Sequence, residues 1–167
     1  MNTDHQAKEP HMNRCQPLIL LLMALLPFQA MGGEPQTDVP EEARAAVAAV
    51  DRFFAALSAG NIARAAVELD PQIIILESGG AERSAAEYLG GHAKSDAEFL
   101  KTAKHQPGHR IARASGDLAW VASDNDMVIQ QDGKPVTIAS AETMVLRRTG
   151  DGWKIVHIHW SSRARKP

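Results

Sequence analysis

The segment Gly152-Trp153-Lys154-Ile155-Val156-His157-Ile158-His159-Trp160-Ser161 decides how the rest of this 167-residue chain is read. A run so rich in β-branched and aromatic residues, entered through a glycine, predicts a strand. Strict alternation puts Val156, Ile158 and Trp160 on one face and Trp153 and Ile155 on the other. Both faces are then apolar, so the strand is expected to be covered on both sides. His157 and His159 project together from one face, with Cα atoms roughly 7 Å apart.

Working outward, strands are also predicted near 109–114, 118–130 and 135–148, with turns at Ser115-Gly116-Asp117, Asp132-Gly133 and Gly150-Asp151-Gly152. An antiparallel meander follows. Before His105 the pattern is mostly helical. Val47, Val50, Phe54 and Leu57 recur at three- and four-residue steps, with Phe53 broadening the stripe, and predict a helix from Pro40 to Gly60 that carries Glu41 and Glu42 in its first turn. Asn61 caps a second short helix, with Ile62, Ala65, Ala66 and Leu69 on one face, which Asp70-Pro71 stops. Gln72 to Leu76 reads as a strand, Gly79-Gly80 as a turn, and Ser84 to Ala103 as helix interrupted at Gly90-Gly91. Helices at the front and strands at the back give an α+β layer arrangement.

The front of the chain reads as a leader. Leu18 to Ala30 is an apolar run too short for a confident membrane span, preceded by Arg14 and followed by small residues, so residues 1–32 are expected to be a signal peptide cleaved near Gly32 or Gly33. Translation from Met12 gives a more usual leader, and the alternative to cleavage is a permanent N-terminal anchor. Residues 33–39 read as a linker, 40–162 as the domain and 163–167 as a basic tail. The mature chain is expected to be periplasmic or secreted, with no stable membrane anchor. Its only cysteine, Cys15, would leave with the leader. Lys and Arg total 18 against 20 Asp and Glu, without a block of like charge, so nucleic acid is not an expected partner.

Three segments carry a resemblance: Phe53-Phe54-Ala55-Ala56-Leu57-Ser58-Ala59-Gly60-Asn61, Ser115-Gly116-Asp117-Leu118-Ala119-Trp120-Val121 and the 152–161 strand. Together they resemble the SnoaL-like branch of the nuclear transport factor 2-like superfamily. The last is also similar to the end of the association domain of calcium/calmodulin-dependent kinase II. The resemblance implies a cone: N-terminal helices packed on a strongly curved, mainly antiparallel sheet, with a ligand pocket between them and a homodimer formed through the other sheet face. A superfamily that holds isomerases, dehydratases, hydrolases and oligomerisation domains implies fold more sharply than activity.

Candidate chemistry begins with the histidine pair. Two imidazolium charges about 4 Å apart would repel by around 4 kcal/mol at an effective dielectric near 20, so at least one ring is expected to be neutral. His157 and His159 could supply two ligands to zinc or copper, with a third from Glu77, His92, His105 or His109. The blander alternative is a ring bonded to a backbone carbonyl. Glu77 alternates with Ile73 and Ile75 and shares their face, near where similar enzymes of the superfamily place an acid-base carboxylate. Glu77, His92 and His157 are therefore the catalytic candidates for proton sharing. Trp120, Glu142, His157 and His159 are the ligand-binding candidates, and Arg147 could line pocket or interface. A buried Glu142 must be paired. The ketosteroid isomerases of this fold need an aspartate base, a tyrosine and a protonated aspartate. Here the first helix has no tyrosine and the sole one, Tyr88, lies elsewhere in sequence, which disfavours that type. The expected function is small-molecule binding in a conical pocket, with no cofactor. The alternatives are an acid-base lyase or isomerase and a zinc or copper protein, and whether the chain is an enzyme stays open.

Overall fold

The computed structural model describes residues 36–166. The expected leader at 1–32, the start at Met12, Cys15 and residues 33–35 of the linker lie outside the described residues. The chain runs through β1 (Thr37–Asp38), a 3-10 turn (Glu41–Ala43), α1 (Arg44–Ser58), α2 (Ile62–Ala66), β2 (Leu69–Glu77) and β3 (Gly80–Glu82). It continues through α3 (Ala85–Gly90), α4 (His92–Thr102), β4 (Lys104–Ser115), β5 (Leu118–Gln131), β6 (Lys134–Thr149) and β7 (Gly152–Ala164). The strands form one mixed sheet in the order β1-β4-β5-β6-β7-β2-β3, in which β4 to β7 are the antiparallel meander and β7 runs parallel to β2. This is the α+β, nuclear transport factor 2-like architecture.

Local chemistry explains the boundaries. Asn61 accepts from the Arg64 amide at 3.0 Å and Ser84 from the Glu87 amide at 3.1 Å, each meeting an orphan donor of its helix. Ser78 and Gly79 both take positive φ, 48° and 87°, and close the β2–β3 hairpin. That third strand, and β1, are absent from the sequence reading, being too short for a periodic signal. β1 falls inside the expected linker and is tied to β4 by Arg113 and Asp38 at 2.7 Å. The expected tail is also structured: β7 extends to Ala164, and Arg165 grips both oxygens of Asp126 at 2.9 Å.

α1 lies on the sheet with Phe53, Leu57 and Val50 fully buried against Ile73, Ile75, Met144, Leu146, Ile155 and Ile158. Each such side chain contributes about 1.5–3 kcal/mol. The buried stripe is centred on Phe53 and filled by Ala46, Ala49 and Ala56, while Val47 and Phe54 sit at its edge. α2 ends at Ala66 rather than at Asp70, and Leu69 opens β2 opposite Ile155. Glu68 is 3% exposed and is held by Arg52 through two 2.8 Å bonds, which compensates its burial and ties α1 to the start of β2.

The decisive departure is in β7. Leu146 pairs with Ile155 and Val145 with His157, leaving Val156 as an extra residue in a β-bulge. The bulge resets the alternation, so Trp153, Ile155 and Ile158 are all buried on the helix-covered face and Trp160 packs against the same core. The expectation that Trp153 and Ile155 face away from Ile158 and Trp160 is thereby corrected. His157 and His159 fall on the outer face.

Candidate functional site

One row of side chains crosses the inner face of the sheet. Register places Glu77 of β2 beside Trp160 of β7, Trp160 beside Glu142 of β6, Glu142 beside Ser123 of β5, and Ser123 beside Arg110 of β4. With α1 and α4 above, this row floors a cavity of about 560 Å³. Phe54, Leu57, Phe99, Leu100 and Met127 form its apolar walls. Trp160 stacks on Phe53 at 6.5 Å and 17°, with Phe54 and Tyr88 6.4 and 6.2 Å from its ring, so the floor is a braced aromatic cluster.

Glu142 is 8% exposed and receives the Trp160 indole N–H at 3.3 Å. Burial pushes its carboxyl above the usual carboxylate range, against the opposing pull of the Arg110 charge and the bonds from Trp160 and Ser123. Arg110 is set by Ser123, which accepts from its Nε at 3.1 Å, and by Asp51 of α1 at 2.6 Å. Beside them the Asn125 Oδ1 is buried without a partner.

At the other end stand Glu77 and Asp96. Burial raises the Glu77 carboxyl, and the Asp96 charge adds to it. Burial likewise raises Asp96, although the Tyr88 hydroxyl donates to its Oδ2 at 2.9 Å. Tyr88 is fully buried, and burial with the Asp96 charge keeps its phenol protonated. Behind this pair, buried Glu82 bonds the exposed His92 ring, which raises the imidazole. The tyrosine that seemed remote in sequence thus belongs to the site, because α3 and α4 fold back over β2.

The candidates from sequence separate into three groups. Glu77 and Glu142 line the cavity; His92 lies behind its acidic end without lining it. His157, His159 and Trp120 do not line the cavity as expected but lie on the opposite face, the histidines because they alternate with inward-facing Ile158 and Trp160, and Trp120 because it pairs beside Val145. His157 Nδ1 is 2.9 Å from the Ile74 carbonyl, and Trp120 is 40% exposed. Among the described residues no group of three or more His, Cys, Asp or Glu is placed to hold a metal ion. Arg147 does not line the cavity; it stands on the outer face beside Leu118 and pairs with the buried Asp70 at 2.8 Å. Sequence reasoning missed Asp51, Asp96, Arg110 and Asn125. An isolated charge inside a helix or strand gives no signal until its face is known.

A family model described as SnoaL-like domain matches residues 46–165, and the chain belongs to that family. Among solved structures it is similar to a candidate ketosteroid isomerase from Shewanella frigidimarina NCIMB 400, at 35% identity and a TM-score of 0.65, covering 70% of this chain and 94% of that one. It is also similar to a candidate calcium/calmodulin-dependent protein kinase II association domain from Xanthomonas campestris, at 24% identity and a TM-score of 0.61, covering 77% and 94%. An NTF2-like protein with a cystatin-like fold from Novosphingobium aromaticivorans is 15% identical with a TM-score of 0.61, covering 72% and 81%. Comparison with curated proteins finds no match.

Proposed function

We propose that this chain binds a small, mainly apolar molecule in the cavity and moves protons on it through Glu77 and Asp96, as an isomerase- or lyase-type enzyme. One observation carries the reading: two carboxyl groups stand at the end of a cavity walled by aromatic and aliphatic side chains, and burial raises both. Such a pair can hold one proton between them, leaving a base and an acid side by side. On a ketone, the base removes the proton α to the carbonyl while the acid protonates the carbonyl oxygen. Where the ketone is β,γ-unsaturated this gives a dienol. Returning the first proton to the γ carbon, as the oxygen gives its own proton back to the acid, completes an isomerisation to the α,β-unsaturated ketone. The name given to the Shewanella protein supports this class of reaction, and Tyr88 supplies a hydroxyl donor beside Asp96.

The test is deuterium uptake by 2-decalone in D2O, followed by mass spectrometry. Glu77→Gln, with its unfolding midpoint retained, is expected to lower the protein-dependent rate by about 10²-fold or more. Equal rates would remove proton transfer and leave binding alone.

The reading includes export, with 1–32 as a leader and a periplasmic or secreted mature chain, which fractionation tests. It also includes a homodimer. The outer sheet face supports that part, since Ile74, Leu76, Ile111, Leu118 and Trp120 stand there between 38% and 56% exposed. Zinc and copper have no part in it; thermal unfolding with each metal, beside a His157→Ala, His159→Ala double variant, tests that exclusion.

A further inference from the structure

The cation whose charge reaches the pocket acids is itself wet. His92 opens α4 with a side chain 63% exposed, yet its ring bonds Glu82, whose side chain is 10% exposed. Glu82 pairs with Ile75 across the β2–β3 hairpin, two residues along from Glu77 on the same inner face. The charged and titratable groups around His92 come from four elements: Glu77 on β2, Glu82 on β3, Tyr88 on α3 and Asp96 on α4. Three carboxyls, one imidazole and one phenol therefore share a small space, and among the described residues the cation whose charge acts on both Glu77 and Asp96 is His92 in its protonated form.

We propose that His92, through its bond to Glu82, is a positioning residue that sets the charge of the half-buried Glu77–Asp96 pair and links the pocket to the pH felt at the exposed imidazole. This rests on the reading of that pair as the proton-transferring site. Protonated His92 neutralises the Glu82 charge, and its field favours ionised Glu77 and Asp96. Loss of the imidazolium proton leaves Glu82 uncompensated, and the pair then binds its proton more tightly. The signs oppose one another: raising pH strips protons from the pair directly but, once His92 deprotonates, returns affinity for one. The pair's titration is therefore broadened and its last proton held to higher pH.

His92 acts here through its charge rather than its shape, which separates it from a structural role. A glutamine at 92 can keep a hydrogen bond to Glu82 while removing the charge; a lysine keeps the charge and loses the ring.

The experiment follows the side-chain carboxyl carbons of Glu77 and Asp96 by NMR as pH is raised, in wild type, His92→Gln and His92→Lys. No substrate is present, so failure here leaves the pocket's activity to be judged separately by the decalone experiment. In His92→Gln the midpoint of the pair is expected to rise by about half a pH unit at low salt, shrinking as salt is added. In His92→Lys it is expected to stay at or below the wild-type value, and the broadening should vanish. Unchanged midpoints in both folded variants overturn the proposal, as does an upward shift in His92→Lys equal to that in His92→Gln. Should His92→Gln fail to fold, the lysine variant decides: a titration as broad as wild type overturns it.

Discussion

Ile158 and His159 are chain neighbours on β7, yet Ile158 is fully buried and His159 is exposed. Each belongs to a row that crosses the sheet. On the inner face Glu77, Trp160, Glu142, Ser123 and Arg110 follow one another; on the outer face the adjacent row is Leu76, His159, Thr143, Ala122 and Ile111. The inner row is polar beneath an apolar canopy, with Arg110 answered by Asp51 and both carboxyls raised by burial. The outer row has large apolar side chains open to solvent and few polar commitments. A sheet face that encloses a cavity can hold ionisable groups at shifted affinities. That contrast is why the inner row reads as the site and the outer one as a surface for association.

The most damaging change is an alanine inserted between Ile158 and His159. An added residue there shifts the register by one, which drives either Trp160 or Trp153, Ile155 and Ile158 to the wrong face. Loss of a cooperative unfolding transition by circular dichroism is the expected result. Ile158→Ala comes next, with an expected cost of about 2–5 kcal/mol in urea unfolding, against less than about 1 kcal/mol for Ile74→Ala on the outer face at protein concentrations where the chain is monomeric. Equal costs would mean that the outer face is as buried as the inner.

Trp120→Asp sharpens the other half. It is expected to leave monomer stability within about 1 kcal/mol while abolishing any dimer seen by sedimentation. The smallest effect is on pH dependence. Glu142 binds its proton more tightly folded than unfolded, so stability contributed by the protonated group is present at low pH. It is lost as pH rises from the ordinary glutamate value through the raised one. Glu142→Gln should flatten that decline, making the variant relatively more stable at pH 8 than at pH 4.5. A parallel decline in both proteins would show that Glu142 titrates normally.

Much of the fold was legible because it rests on repetition. The four long strands, their turns, α1 and the Asn61 cap all announce themselves through period or cap chemistry. Glu77 was readable for the same reason, since Ile73 and Ile75 fix its face. What failed was local and non-repeating. A single extra residue at Val156 put Trp153 and Ile155 on the face of Ile158 and apart from the histidines, and nothing in the 152–161 run distinguishes a bulge from regular strand. Tyr88 and Asp96 lie eight positions apart on separate helices and meet only because Gly91 breaks the helix between them. Arg110 and Asp51 come from distant elements, and their pairing depends on how α1 crosses the sheet.

The most direct test of the account is the titration of the Glu77 side-chain carboxyl in the wild-type protein, followed by carbon NMR and assigned by its absence in Glu77→Gln. The account predicts a midpoint above the ordinary glutamate range that falls when Asp96 is replaced by Asn, because the neighbouring charge is removed while burial remains. A midpoint at the ordinary value, indifferent to Asp96→Asn, would contradict it: Glu77 would then be a solvated carboxylate and the cavity no acid-base site.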